Sequence, residues 1–436
     1  MSIIIKNAEL NNRIKDIFIE DNKITEISNN INTEADHKID GKDKAVLPGL
    51  YNSHTHAAMT LFRGYADDIP LNEWLTQKIW PNEAKLTEKE VYLGTKLACL
   101  EMIKSGTIFF NDMYWHLPDS FRAVEEMGLR AALSSVLIDN FDKDKAEEQK
   151  ARIKREFSRF HNTSERITFA LGPHAIYTVS EEYLRWLNDF AEKKNILIHM
   201  HLSETEKEVK DCIAKHKIRP VEYLDNIGLL SSNFIACHSV WLNDNEINLL
   251  AKNNANLVHN PVSNMKLAVG RTFRYQDIIN KGINVTIGTD GCASNNNLDM
   301  FEEMKFAALL QKFTCNDSGL MPACTALNLA TRNAAKAFNI DGGIIEEGKL
   351  ADMILIDLKK PELVPHHNLI SNLVYSANGS CVDTTICNGK VLMRDRIVEG
   401  EDKIIEEAQK LAKEFFYKSV SKKSDVTEHK HLQNLG

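Results

Sequence analysis

The sequence predicts an α/β protein: a closed (β/α)8 barrel of the TIM type, carrying a small β-sandwich domain built from both termini. Three observations lead there. Eight short apolar runs alternate with amphipathic helical stretches over roughly residues 46–347; such alternation specifies a parallel sheet, and eight strands close one. Both ends of the chain have instead the texture of short strands joined by Asn, Asp and Gly turns. No GxGxxG follows the first apolar run of the middle segment, which argues against an open doubly wound sheet.

In chain order, residues 3–5, 14–19 and 24–27 are strand-like, punctuated by Asn11-Asn12 and Asp21-Asn22, the chemistry of tight hairpins. Barrel strands are expected at 46–53, 107–111, 131–138, 167–172, 196–200, 233–237, 255–258 and 284–288. Helices at 88–104, 146–160 and 181–194 fall between them. Strand texture returns at 351–356, 384–387 and 391–393, with an Asn388-Gly389 turn. The expected domains are therefore 1–48 with 348–400, the barrel at 49–347, a helix at 401–420, and a loose tail at 421–436 that lacks an apolar period.

Composition narrows the function. The 436 residues carry a net charge of −8, which disfavours nucleic acid or an anionic membrane as partner. Apolar runs fall far short of the roughly 20 residues a membrane span needs, and MSIIIKNAEL does not resemble a secretion signal. Eight scattered cysteines with no CxxC predict reduced thiols and a cytoplasmic protein.

The chemistry lies where the barrel strands end. The first is followed by His54-Thr55-His56, the fourth by His174, the fifth by His201, the sixth by His238, the seventh by His259 and the eighth by Asp290. Barrels of this kind gather active-site side chains from the C-terminal ends of several strands. Imidazoles and a carboxylate converging there predict a metal site of nitrogen and oxygen ligands. His54 and His56, two apart in a strand, point the same way. A lone HxH means little, since His429 and His431 form one in the tail. Glu204, three residues after His201, is either a first-turn glutamate of a helix boxed by Ser203 and Glu206 or a proton shuttle beside the metal. Spacing leaves both open.

PGLYNSHTHAAMTLFRG, HMHLSETEKEV, HSVWL, HNPVSNMKLAVG and GTDGCASNNNLDM resemble the amidohydrolase superfamily and, within it, the 5-methylthioadenosine/S-adenosylhomocysteine deaminases. The likeness covers about 400 residues. It implies one zinc per subunit, held by His54, His56, His201 and Asp290, a donor set that iron or manganese would also accept. Two-metal members close strand four with a carbamylated lysine; here the stretch is Leu171-Gly172-Pro173-His174. The implied reaction is hydrolytic deamination of the adenine ring of a 5′-substituted adenosine. In it His238 orients the water, Asp290 takes its proton and Glu204 protonates ring N1. Glu83 and His174 match family positions that hold the nucleoside, and Trp74 and Trp80 are expected to cover an apolar 5′ group. A small-molecule nucleoside partner and a homo-oligomer follow from the same resemblance.

One stretch departs from the family. Well-matched relatives carry an arginine near the end of strand three, suited to a homocysteine carboxylate; this chain has Leu133-Ser134-Ser135-Val136-Leu137. Ser135 offers no charged, bidentate partner. Lys143, Lys145 and Arg152 are candidate substitutes, and S-adenosylhomocysteine is expected to be a weaker substrate than neutral 5′-substituted adenosines. The alternatives on this scaffold are a guanine or pterin deaminase and a triazine chlorohydrolase. A non-catalytic relative would be expected to have lost ligands or the acid, yet all are present.

Overall fold

The computed structural model describes residues 1–431, with side chains described as far as Phe416. At the N-terminus β1 (Ser2–Leu10), β2 (Arg13–Glu20) and β3 (Lys23–Ser28) form an antiparallel meander. Asn11 and Asn12 turn the first hairpin with φ of 52° and 61°, a left-handed pair that asparagine tolerates well. Strands β4 (His37–Asp40) and β5 (Lys44–Pro48) run parallel to β1.

The middle of the chain forms a second sheet of eight parallel strands in sequence order. These are β6 (Leu50–Thr55), β7 (Thr107–Tyr114), β8 (Arg130–Leu137), β9 (Ile167–Pro173), β10 (Leu197–Leu202), β11 (Phe234–His238), β12 (Asn256–His259) and β13 (Asn284–Ile287). A backbone bond from Asp290 N–H to the His54 carbonyl, 2.9 Å, brings the last strand's end onto the first, so the sheet is a nearly closed barrel. The chain then returns to the first sheet through β14 (Met353–Asp357), β15 (Val382–Cys387) and β16 (Lys390–Met393), with β14 seated between β5 and β15. That sheet is mixed and drawn from both termini.

Two boundaries differ from expectation. The apolar run at 46–53 is not one strand: β5 belongs to the terminal sheet and β6 to the barrel. Gly49 separates them, and a Cβ there would lie 2.4 Å from Ile108 Cγ1, so a residue without one is needed at the crossing. The final helix runs Glu401–His431, through much of the stretch expected to be loose. Nothing between these residues is Gly or Pro, so the backbone meets no breaker although the apolar period has faded. Residues 432–436 of the expected tail lie outside the described residues.

The barrel interior is filled from below by Tyr51, Phe109, Ala132 and Ala170, and closed by Phe338, whose ring lies 4.6 Å from that of Phe109. At this lower end the terminal sheet is locked on by a buried ion pair. Arg130 Nε donates to Asp352 at 2.7 Å, while its other two nitrogens donate to Asn388 Oδ1 and the Glu165 carbonyl. At the opposite end the C-terminal helix stacks Phe416 on Tyr65 and sets it edge-on to Phe62, at 4.5 and 5.3 Å. Among the described residues no helix is long and apolar enough to cross a membrane.

Candidate active site

The barrel's upper rim brings together residues far apart in sequence. His54 and His56 come from the end of β6, His201 from β10, and Asp290 from the turn three residues beyond β13. One ligand atom from each lies within 4.8 Å of all the others. Asp290 Oδ1 sits 3.3 and 3.2 Å from Nε2 of His54 and His56, and Nε2 of His56 and His201 are 3.3 Å apart.

Three features fit this cluster to a metal ion. His54 Nε2 is buried and has no hydrogen-bond partner. His56 Nδ1 donates to the Met113 carbonyl and His201 Nδ1 to the His174 carbonyl, at 2.7 and 2.9 Å, so each ring turns Nε2 toward the others. Asp290 Oδ2 accepts from Ser263 Oγ and Ser294 Oγ, at 2.6 and 2.8 Å, which fixes the carboxylate with Oδ1 facing inward. Burial pulls the His54 ring down to about 4 despite Asp290, and holds His201 well below its ordinary range. Burial also works against the charged form of His56, but Asp290 outweighs it and lifts that ring to about 9.

Beside the cluster stand Glu204 and His238. Glu204 is not in a helical first turn. The helix Glu206–His216 is capped by Thr205, whose hydroxyl accepts from Glu208 N–H, so the Ser203/Glu206 box, one of the two readings the spacing allowed, does not form. Glu208 instead reaches back to accept the Ser203 and Glu204 N–H groups, at 2.8 and 2.9 Å, and holds Glu204 over the rim. Burial raises the Glu204 carboxyl above its usual range; His238 opposes this and Asp290 reinforces it. His238 Nδ1 meets Asn264 Oδ1 at 2.8 Å and Asn260 Nδ2 at 3.3 Å, and lies 3.9 Å from Glu204. His238 and Asp290 both have left-handed backbones, φ 66° and 62°, uncommon away from glycine and typical of strained functional turns.

Glu83 and His174 face the same cavity, together with Trp74 and Trp80. Glu83 ends the short helix Trp80–Glu83, and burial raises its carboxyl, against His56, Tyr114 and Trp115. His174 is held by Thr178 Oγ1 at 3.0 Å, and burial pulls its ring down to about 3. His259, the seventh strand's histidine, stands apart: its ring stacks on Phe273 at 4.6 Å and is not among the clustered donors.

Ser135 corrects a premise of the sequence reading. Its hydroxyl meets Glu156 on the outer helix at 2.9 Å, while the neighbours that line the cavity are Val136 and Ile138. None of Lys143, Lys145 and Arg152 lines it, and among the described residues the cavity wall has no lysine or arginine. Sequence reasoning also passed over Ser263, Asn264 and Ser294. The first two stand in HNPVSNMKLAVG, where a motif was visible but the contacts were not.

With barrel and rim in view, the class is settled by comparison: residues 45–392 match the amidohydrolase family, and the chain belongs to it. A 5′-deoxyadenosine deaminase of Methanoregula boonei is 50% identical over 413 residues, 93% of each chain. A 5-methylthioadenosine/S-adenosylhomocysteine deaminase of Archaeoglobus fulgidus is 49% identical, covering 94% of this chain and 98% of its own. Among solved structures, an adenosine deaminase from Xanthomonas campestris with bound zinc superposes with a TM-score of 0.89 at 32% identity, over 95% of this chain and 98% of that one.

Proposed function

We propose that the protein hydrolytically deaminates the adenine ring of 5′-substituted adenosines, among them 5′-deoxyadenosine, 5-methylthioadenosine and S-adenosylhomocysteine, to the inosine analogue and ammonia. The observation that carries this reading is the convergence at one rim of the His54/His56/His201/Asp290 cluster with Glu204, whose carboxyl burial raises, and with His238, both of which line the same cavity as His56, His201 and Asp290. His54, His56, His201 and Asp290 would hold one divalent ion, zinc in the first instance. When bound, that ion supplies Lewis acidity and a water that ionises near neutral pH.

The chain's own residues do the rest. His238, its Nδ1 engaged by Asn264 and Asn260, accepts the water's hydrogen bond at Nε2 and orients it toward C6. Asp290 takes one proton from the water, its carboxylate being steadied at Oδ2 by Ser263 and Ser294. Glu204 gives its proton to ring N1 as C6 becomes tetrahedral. The proton on Asp290 leaves with ammonia, and that of the new C6 hydroxyl restores Glu204 as the carbonyl forms. Glu83 accepts from the ribose hydroxyls and His174 hydrogen-bonds the nucleoside. The same reading divides the chain into a terminal sandwich at 1–48 and 348–400, a catalytic barrel at 49–347 and a C-terminal helical segment.

The test is ammonia release by zinc-reconstituted protein from 5′-deoxyadenosine, 5-methylthioadenosine, S-adenosylhomocysteine, adenosine, adenine and guanine. Turnover of the 5′-substituted adenosines is expected. Ammonia from guanine alone, or from none, refutes the assignment.

A further inference from the structure

Of the three clustered histidines, two have their Nδ1 protons fixed by main-chain carbonyls, Met113 for His56 and His174 for His201. A carbonyl only accepts, so those tautomers are decided outright. His54 is different. Its Nδ1 meets another imidazole, His199 Nε2, at 2.7 Å, and an imidazole nitrogen can either donate or accept.

His199 lies two residues before His201 on β10 and therefore points to the same side, one layer deeper in the barrel. It is fully buried between His54 above and the apolar interior below, where Cys237 Sγ approaches the same Nε2 at 3.1 Å. Its rings meet edge-on with His54, centroids 4.9 Å apart at 85°. The other nitrogen, Nδ1, is buried with no partner. A ring that served only packing would be better replaced by an apolar one of similar size, because an unpaired buried polar atom is destabilising. What the imidazole gains at this position is the contact of Nε2 with His54, at 2.7 Å the shorter of its two, beside that with Cys237 Sγ.

We infer that His199 is a positioning residue for the metal site: by accepting at Nε2 it keeps the His54 proton on Nδ1 and leaves His54 Nε2 free to ligate. The opposite tautomer pair has His199 donating to His54 Nδ1. That places the His54 proton on Nε2, toward Asp290 Oδ1 at 3.3 Å, and removes His54 from the donor set. Metal affinity at the rim therefore depends on a buried residue outside the His54/His56/His201/Asp290 donor set.

This rests on the reading of the cluster as a metal site, and the experiment separates the two. Zinc affinity is measured by chelator competition for the native protein, His199→Leu and His199→Gln, with urea unfolding of the zinc-free forms alongside. Loss of an outer partner of a ligating histidine typically weakens metal binding 10- to 100-fold. His199→Leu is expected to lose affinity by about that factor, while His199→Gln, which keeps an oxygen acceptor, recovers most of it. A purely structural role would lower the unfolding midpoint and leave affinity unmoved. Ring-nitrogen NMR of the zinc-loaded native protein gives a reading independent of any variant's folding: His54 is expected to carry its proton on Nδ1, and His199 to have a bare Nε2. Leucine and native proteins binding zinc within twofold of each other, or a proton found on His199 Nε2, overturns the inference alone. A native protein that holds no divalent metal overturns the metal site with it.

Discussion

Replacing Glu204 with glutamine tests the proposed acid with little change of shape. The amide cannot give up a proton at neutral pH, yet it keeps the side chain's length and volume, and the Glu208 clamp on the Glu204 backbone is untouched. Glu204 supplies no atom to the clustered donors, so zinc content is expected to stay at the native level. A positioned general acid contributes roughly 10²- to 10⁴-fold in rate, or about 3–5 kcal/mol at the transition state. The loss is expected in kcat, with KM changing by less than about threefold, because the proton is needed only as C6 becomes tetrahedral. pH adds a second signature. Burial is the largest influence on this carboxyl and raises it, so the acid form persists where an exposed glutamate is already ionised. Activity that needs the proton is retained on the acid side of that raised value and falls as pH climbs through it. The residual activity of the glutamine variant lacks this alkaline limb. Ammonia release from 5′-deoxyadenosine across pH, with zinc content measured in the same samples, decides the matter. A Glu204→Gln protein with more than half the native kcat refutes the reasoning.

Other consequences can be checked with the same assay or by unfolding. Glu83→Gln removes the carboxyl acceptor proposed for the ribose; an ordinary hydrogen bond is worth about 0.5–1.5 kcal/mol, so KM is expected to rise roughly 2- to 10-fold, and an unchanged KM would remove Glu83 from the proposed site. The cavity wall lacks lysine and arginine and carries Glu83, Glu204 and Asp290, so kcat/KM for 5-methylthioadenosine should exceed that for S-adenosylhomocysteine by about tenfold or more. Equal values would mean that the carboxylate finds a partner elsewhere. Asp352→Asn strands the buried Arg130 guanidinium and is expected to cost about 3–5 kcal/mol in urea unfolding while the folded fraction keeps its kcat.

Much of this was legible in the sequence because a buried parallel strand is a continuous apolar run, and a polar residue closing such a run is conspicuous. That is why His54, His56, His201, His238 and Asp290 could be picked out without coordinates. The same continuity hid the crossing at Gly49, where two buried strands of different sheets abut with no polar residue between them. Ser135 was misplaced for another reason: period-two alternation puts Val136 and Ile138 on the inner face and Ser135 on the outer, a consequence of strand geometry rather than of alignment. His199, Ser263 and Asn264 were hidden because periodicity says which way a side chain points but not which neighbour from another strand it meets. Contacts such as Asn264 with His238 join residues 26 apart and exist only once the barrel closes.

The two ends of the barrel put buried charged and titratable groups to different uses, cohesion below and chemistry above. At the lower end each nitrogen of the Arg130 guanidinium has an acceptor, in Asp352, Asn388 or the Glu165 carbonyl, and the terminal sheet is thereby tied to β8. At the upper end His54 Nε2 is left without a partner in the midst of three other donors, and His238 and Asp290 hold backbones that are costly away from glycine. Unpaired atoms and strained turns persist only where the surrounding structure compensates for them, and the Arg130 ion pair and the apolar floor of Phe109 and Phe338 contribute to that compensation. Substitutions below should therefore move stability without touching turnover, and substitutions above the reverse. His199 stands between the two layers, which is why a change there is expected to register first in metal affinity rather than in either.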